Sequence, residues 1–549
     1  MNSLKIRISA FIAMSAFATT TTPAFAADAP VYMETVATGA TLQVLQTAGD
    51  KIGGYQVMGI PDGLGVLKSG NSLKIYSNHE LSASNAVAAA RKTASGTASG
   101  ATVSESIFDL ATGKVTAAKD FIKTITWYDY SKKSWGSTPG APTGSALADQ
   151  YGTPNHGRIL NRLCSASISQ PGELSYVVST TTGTGKKKKT VNTTYGYEGA
   201  VYFTGEEGGD ESRGFATDQD GNMVQIPAFG LASWENFLLA PTAKGLKTVV
   251  LGNEDGGATN SQLSLYIGTK TATGPWYERA GFTNGKKYVL SADKVVSLPN
   301  DNIWRKYAGK NAPTAVTFEE INWNAGGPDQ SFEVTAKGME FARIEDGSFD
   351  PKNPNDYYFV TTESNKDPLA TAPNPALPTV SRDGGALWKL SFTDINDPLK
   401  GAKLTMLLDG SEAPYLSKPD NITVDLAGNI LIQEDPGAND AVARVVAYRI
   451  SDGKVGVVAK FVDKYFKPGG SEFMTNDEES SGIIEITDLY KKSATDTNRY
   501  YMLDAQVHVA PKIARPDITD IAAQTALADS IEGGQLYILT IADWSKVYG

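Results

Sequence analysis

Cys164 is the only cysteine in the chain, and clusters of adjacent carboxylates follow it: Glu206-Glu207, Glu254-Asp255, Glu345-Asp346, Glu434-Asp435 and Asp477-Glu478-Glu479. A lone thiol in an exported protein cannot close an intramolecular disulfide, so it is either an inert buried side chain or a metal ligand. Neighbouring carboxylates repel unless something positive lies between them, and no comparable set of arginines or lysines accompanies these pairs in the sequence. Bound cations are the simplest compensation, which makes the chain a candidate metalloprotein.

Further residues extend the candidate site. Ser77-Asn78-His79-Glu80 ends an apolar run, placing His79 and Glu80 at a strand tip, where sites on such scaffolds form. Gly205-Glu206-Glu207-Gly208 ends another, with glycines that would let backbone approach a ligand. Asp218 and Asp220, in TDQDGN, lack the distant bidentate glutamate of a calcium loop and read as a turn. In Arg343-Ile344-Glu345-Asp346-Gly347 an arginine lies beside carboxylates, a pairing that can serve a metal and grip an anion with two parallel hydrogen bonds. Asp420 and Asn421 stand at one end of a hairpin-like unit and Glu434 and Asp435 at the other, and Asp477, Glu478 and Glu479 form the densest acidic cluster. Oxygen-rich groups of this kind suit calcium, whereas Cys164 and His79 suit a softer metal such as iron.

Other chemistries are poorly supplied. There is no G-x-S-x-G elbow, and the histidines are His79, His156 and His508 alone, too few for a multi-histidine zinc site. The net charge of −10 argues against nucleic acid as partner. The one basic run, Lys186 to Lys189, is set among Thr and Gly and reads as a solvated hairpin tip.

The elements that must position these residues are strands. Short period-two runs recur at 72–78, 199–205, 247–253, 356–362, 385–392, 421–435, 445–450 and 534–541, between Gly, Asn and Asp turns. Such diverged strand–turn–strand units predict an all-β chain, a β-propeller with long loop insertions and a few short helices, at Ser84 to Arg91 and Asp517 to Ser530. Irregular surface loops are expected at 93–104, 178–194 and 366–380. Residues 1–26 read as a signal peptide: Lys5 and Arg7, an apolar run from Ile8 to Ala18, then Pro-Ala-Phe-Ala with cleavage after Ala26. Residues 27–549 then form one propeller domain, periplasmic or extracellular and monomeric. No later run approaches the roughly 20 apolar residues of a membrane span.

The ordered series NHE, RLCSA, TGEE, FARIEDG with a following DP, PDNITVD with GNILIQED, QVH and EGGQL resembles the PhoX-type bacterial alkaline phosphatases over most of the chain. Here Cys164 lies in Leu-Cys-Ser-Ala rather than that family's Asn-Cys-Ala-Gly, and Ile344 stands where proline is frequent. The resemblance implies a propeller carrying iron and calcium that hydrolyses phosphate monoesters. It implies Cys164 as an iron ligand, Glu345 and Glu206 or Glu207 as metal ligands, Arg343 as the substrate-gripping arginine, and Glu434, Asp435, Glu478 and Glu479 as calcium ligands. Two alternatives stand beside it: a calcium-stabilised propeller that binds without catalysis, and a phosphodiesterase or phytase-like hydrolase on the same scaffold.

Overall fold

The computed structural model describes residues 29–85, 99–149, 151, 158–242, 245–257, 261–292, 309–363, 384–438 and 441–549. The signal-peptide segment, most of the expected helix at 84–91, His156 and the expected loop at 366–380 lie outside them.

The described strands form six antiparallel units of four. Blade 1 is Pro61–Ser69, Ser72–His79, Thr102–Asp109 and Lys114–Asp120. Blade 2 is Leu163–Ile168, Val201–Glu206, Gly214–Asp218 and Asn222–Gln225, extended at its edge by Thr124–Asp129 and Ser134–Gly136. Blade 3 is Trp234–Leu239, Lys247–Glu254, Leu263–Thr269 and Lys286–Ala292; blade 4 is Ile344–Phe349, Asp356–Thr361, Ala386–Phe392 and Ala402–Asp409. The strand Thr314–Ile321 pairs with the outer strands of both, joining blades 3 and 4 into one continuous sheet. Blade 5 is Pro419–Val424, Asn429–Glu434, Arg444–Arg449 and Val455–Phe461.

Blade 6 takes Glu478–Glu485, Arg499–Val507 and Gly533–Ile541 from the C-terminal part of the chain and its outer strand, Ala40–Thr47, from the N-terminal part. Met33–Thr35 likewise pairs on the edge of blade 5. The first strand of each blade packs against the first strand of the next, from blade 1 round to blade 6 and back to blade 1. The fold is therefore a closed six-bladed β-propeller, its ring fastened by pairing between sequence-distant strands, which leaves no open end.

Apolar alternation drives the stacking. Between blades 6 and 1, for example, Met502, Leu536 and Ile538 bury against Leu64, Val66 and Ile75. Gly205 is required by this packing rather than by a ligand: a Cβ there would lie 2.4 Å from Cβ of Trp234, a fully buried residue of blade 3.

Every strand expected from the sequence is present. The helix near the C-terminus is shorter than expected, Ile521–Leu527, opened by the Asp520 carboxylate accepting from Ala523 N and followed by a 3-10 turn at Ala528–Ser530. The eleven-residue helix Gly327–Lys337 carries too weak an apolar stripe to have been read from the sequence; Val334 is its one buried large apolar side chain. The expected irregular loop at 178–194 is instead a paired ribbon, Ser175–Thr182 with Lys189–Gly196. Its alternating Thr and Val favour extended backbone, and Gly183 and Gly185, at φ 83° and 57°, supply the reversal that holds the lysines at an exposed tip. No helix among the described residues is long and apolar enough to cross a membrane.

Candidate metal centre

One position recurs in every blade. The second residue of each innermost strand is Asp62, Cys164, Glu235, Glu345, Asp420 or Glu479, in blades 1 to 6 respectively. A β-bulge follows close behind in each case: the register slips between Pro61 and Leu64, Leu163 and Ala166, Trp234 and Asn236, Ile344 and Gly347, Pro419 and Ile422, and Ser481 and Ile483. Bulges bend a strand and re-aim its side chains.

The residue before the innermost strand is strained in four of these places, with left-handed φ at Ile60 (48°), Arg162 (42°), Arg343 (59°) and Lys418 (53°). Non-glycine residues hold that conformation only where their surroundings enforce it, commonly at functional sites.

The neighbouring strand of each blade supplies a second layer: Glu80, Glu207, Asp255, Thr362, Asp435 and His508, each the residue immediately after that strand ends. Adjacent strand residues point to opposite faces, which separates the members of each acidic pair. Glu207 turns to Cys164, whose Sγ donates to Glu207 Oε2 at 2.8 Å. Glu206 turns away and accepts from buried Arg213 Nε and Nη2, at 2.7 and 2.6 Å. Glu434 does the same with Arg444, at 2.7 and 2.6 Å, and Glu254 lies in the field of buried Lys287. The clusters are thus not uncompensated, as the sequence suggests: one member of each of these pairs has its own cation.

Of the other sequence candidates, Glu80, Glu345 and Asp420 lie in the ring, and Asp435 and Glu479 border it through their mutual field. Glu478 accepts from Ala443 N at 3.0 Å, away from that group. His79 lies between the Gly59 carbonyl (3.0 Å) and Ser104 Oγ (2.9 Å), and Asn421 donates to Ser165 Oγ at 3.0 Å. Asp477 is partly buried, with its carbonyl accepting from His508 N.

Among the described residues three groups of candidate ligand atoms converge, each within 4.8 Å: Asp62, Glu80 and Cys164; Cys164, Glu207 and Glu235; and Glu235, Glu345 and Asp420. Cys164 and Glu235 each belong to two of these groups and link them; Asp62 and Glu235 are the members that the sequence alone does not mark. The signal for them is the recurring triplet of an apolar residue, an acid or thiol, then a small or polar residue: PDG, LCS, WEN, IED and PDN, with EES as the variant.

Cations stand at the rim. Arg343 donates to Asp255 Oδ1 and Oδ2 at 2.9 and 2.7 Å and lies 3.2 Å from Glu345 Oε1. Arg162 bridges Glu80 and Glu207, at 2.5 and 2.7 Å. His508 Nδ1 contacts Glu532 at 2.7 Å and Nε2 faces Glu479 at 3.7 Å. Burial alone would lower the pKa of His508, but these two glutamates outweigh it and raise it to about 11, so its imidazole is a cation.

Burial pushes the Cys164 thiol up, with Glu207, Glu80 and Glu235 adding to it and Arg162 opposing. Burial also raises Glu207 to about 8 and Asp435 to about 7, and lifts Asp62, Glu235, Glu345 and Asp420 well above the ordinary carboxylate range. Around these groups Asp62 Oδ1, Asn421 Oδ1, Gln433 Oε1 and Gln506 Oε1 are buried without a hydrogen-bond partner. Acceptor oxygens left in that state signal a missing positive partner, so the donor set fits metal ions: a thiolate and carboxylates for a softer transition metal, carboxylates alone for calcium.

Comparison with known proteins gives a fold and no family. PhoX from Pseudomonas fluorescens, solved in complex with vanadate, a transition-state analogue, superposes with a TM-score of 0.56 at 12% identity, over 93% of this chain and 96% of that one. This likeness defines the class of fold, a PhoX-like propeller. A luciferin-regenerating enzyme (TM-score 0.31, 9% identity, 91% and 95% coverage) and a Trichoderma reesei enzyme of carbohydrate-active family AA12 (0.31, 10%, 79% and 98%) are more distant and carry no argument. No protein-family model and no curated protein matches the chain.

Proposed function

We propose that the protein is an exported, metal-dependent phosphatase that hydrolyses phosphate monoesters at the axial ring, with calcium and iron as its ions. The observation that carries this reading is the convergence of Cys164 with Asp62, Glu80, Glu207, Glu235, Glu345 and Asp420, beside a forked guanidinium, on a PhoX-like scaffold.

Cys164, Glu207 and Glu235 would hold the softer ion, and Glu235, Glu345 and Asp420, with Asp62 and Glu80, the harder ones. When bound, such ions polarise phosphoryl oxygens and lower the pKa of a coordinated water. Arg343 is anchored on one side by Asp255 and Glu345 and remains 26% exposed at its side chain, so its free edge is presented to an incoming anion. It would grip the phosphoryl oxygens and balance the charge that develops on them. Thr362 Oγ1, 2.7 Å from Glu345 Oε1, fixes the carboxylate that anchors it. Glu207 Oε2 accepts a hydrogen bond from Cys164 Sγ, and on metal binding the thiol proton would be released to solvent, so that thiolate and carboxylate both bind as anions.

With residues 1–26 read as an export signal, the activity would be exercised outside the cytoplasm, and we propose that the protein acts as a monomer. Assay of the metal-replete protein against a chromogenic monoester, a diester and phytate tests the reading: hydrolysis confined to the diester or to phytate replaces the substrate class, and hydrolysis of none of them leaves a binding propeller.

A further inference from the structure

Between the first and second strands of blade 2 the chain leaves the propeller as a two-stranded ribbon, Ser175–Thr182 paired with Lys189–Gly196 over eight residue pairs without a slip and joined to no other sheet. Leu163–Ile168 starts at the ring, where Cys164 is its second residue, and runs away from it; Val201–Glu206 lies antiparallel to it and returns to the ring at Glu207. The ribbon belongs to the connection between them, so it emerges on the face of the propeller opposite the ring. Its base is fixed to the body: Gly196 N donates to the Thr271 carbonyl at 2.9 Å, and the Tyr197 ring lies 5.5 Å from that of Trp276.

All residues of 179–193 are exposed. Successive strand residues point to opposite faces, so neither face of the outer ribbon is covered and it stands clear of the body. A hairpin that buries so little is marginal on its own, and the Thr and Val along both strands supply the preference for extended backbone that packing does not. Lys186, Lys187, Lys188 and Lys189 crown the tip, and among the described residues none of them is held in a salt bridge. No acid occurs in 174–197, and the strands below the lysines carry no charged side chain.

We propose that the ribbon is a docking arm that binds the anionic phospholipid headgroups of a membrane surface through its lysine tip. Consecutive ammonium groups unmatched by acids are drawn to such a surface, each adding to the attraction. A bilayer meets a projecting tip as a whole, whereas a linear polyanion would need cations along the strands, which have none. No aromatic or aliphatic side chain larger than threonine lies in 183–190, so the tip adsorbs to headgroups and does not insert. The chain's net charge of −10 repels the body from the same surface. The ribbon spans about 25 Å, against a screening length of about 8 Å at physiological ionic strength, so the acidic body is held clear while the tip makes contact. Docked in this way, the ring faces away from the membrane and stays open to solutes. The inference stands whether or not the ring hydrolyses phosphate esters.

Sedimentation of the purified protein with vesicles, in buffer without free calcium that could bridge acids to lipid, tests it. At low ionic strength the protein should bind vesicles of equimolar phosphatidylcholine and phosphatidylglycerol, stay free of phosphatidylcholine alone, and be released by added salt. Replacing the four lysines together, Lys186→Gln, Lys187→Gln, Lys188→Gln and Lys189→Gln, should weaken binding to the anionic vesicles at least about tenfold with the melting temperature unchanged. The four Lys→Arg replacements should keep it, because the tip is read by charge. A wild type that ignores anionic vesicles, or a glutamine variant that binds them equally, overturns the arm. Lysine-dependent binding to dextran sulfate without binding to vesicles overturns it too and makes the partner a soluble polyanion.

Discussion

Arg162 and Arg343 occupy the same structural position in two blades. Each immediately precedes an innermost strand, each has left-handed backbone, and each stands two residues ahead of a member of the converging groups, Cys164 or Glu345. Each also spans two carboxylates, Glu80 and Glu207 for Arg162, Asp255 and Glu345 for Arg343. The ring therefore has guanidinium groups in blades 2 and 4, on either side of Glu235 in blade 3.

The proposed substrate grip by Arg343 requires its planar fork. Arg343→Lys should retain the metals and lose about 10²-fold in kcat/KM for a monoester, the scale of one lost transition-state donor. Steady-state kinetics with parallel metal analysis checks this; an unchanged kcat/KM would leave Arg343 as an anchor for Asp255 alone.

In the Glu206-Glu207 pair, loss of the inward acid and loss of the outward acid's cation should have different consequences. Glu207→Gln should fold normally but lose metal, because Glu207 faces Cys164. Arg213→Ala should instead strip a buried charge of its partner and destabilise the protein by about 3–5 kcal/mol, with the metal content of the surviving folded fraction unchanged. Denaturant melts and elemental analysis of the two variants separate these outcomes, and metal loss in both would mean that the pair acts as one site.

The metal-stripped protein should be most stable in mild acid. Glu207 and Asp435 titrate near 8 and 7 when folded, above their unfolded values near 4, so the folded state binds more protons between those limits. Stability contributed by these groups is complete below about pH 4 and is lost as pH rises to about 8. Metal binding displaces the same protons and should reverse the trend, with affinity rising with pH. Thermal melts from pH 4.5 to 8, with and without metal, measure both slopes; parallel slopes would show that the ions bind elsewhere.

Much of this architecture is legible in the sequence because period-two alternation and Gly, Asn and Asp turns mark the strands directly. Cys164 stands out by type, Glu207 and Glu345 by adjacency to another acid, Glu80 by following His79, and Asp420 by opening the hairpin that Glu434 and Asp435 close. Asp62 and Glu235 are hidden because their sequence neighbours carry no charge, and only the closing of blades 1 and 3 into the ring brings them to Cys164. Arg162 is separated by more than 80 residues from Glu80, the partner that fixes it, a relationship no local pattern encodes. Conversely Glu206, Glu434 and Glu478 look equivalent to their neighbours in sequence, and strand alternation alone turns them away.

The thiol offers a simple chemical check. In the intact metal-loaded protein Cys164 should resist alkylation, being 4% exposed and coordinated, and Cys164→Ser should lose the softer ion along with any thiolate-to-metal absorption band. Rapid alkylation of the native protein without loss of metal would make the thiol a bystander.

Hydrolysis of a chromogenic phosphate monoester by purified protein, followed through chelation and metal restoration, tests the central claim most directly. The account predicts turnover that disappears on stripping, returns when calcium and iron are restored, and is inhibited by vanadate; a fully metallated wild type with no such turnover would contradict it.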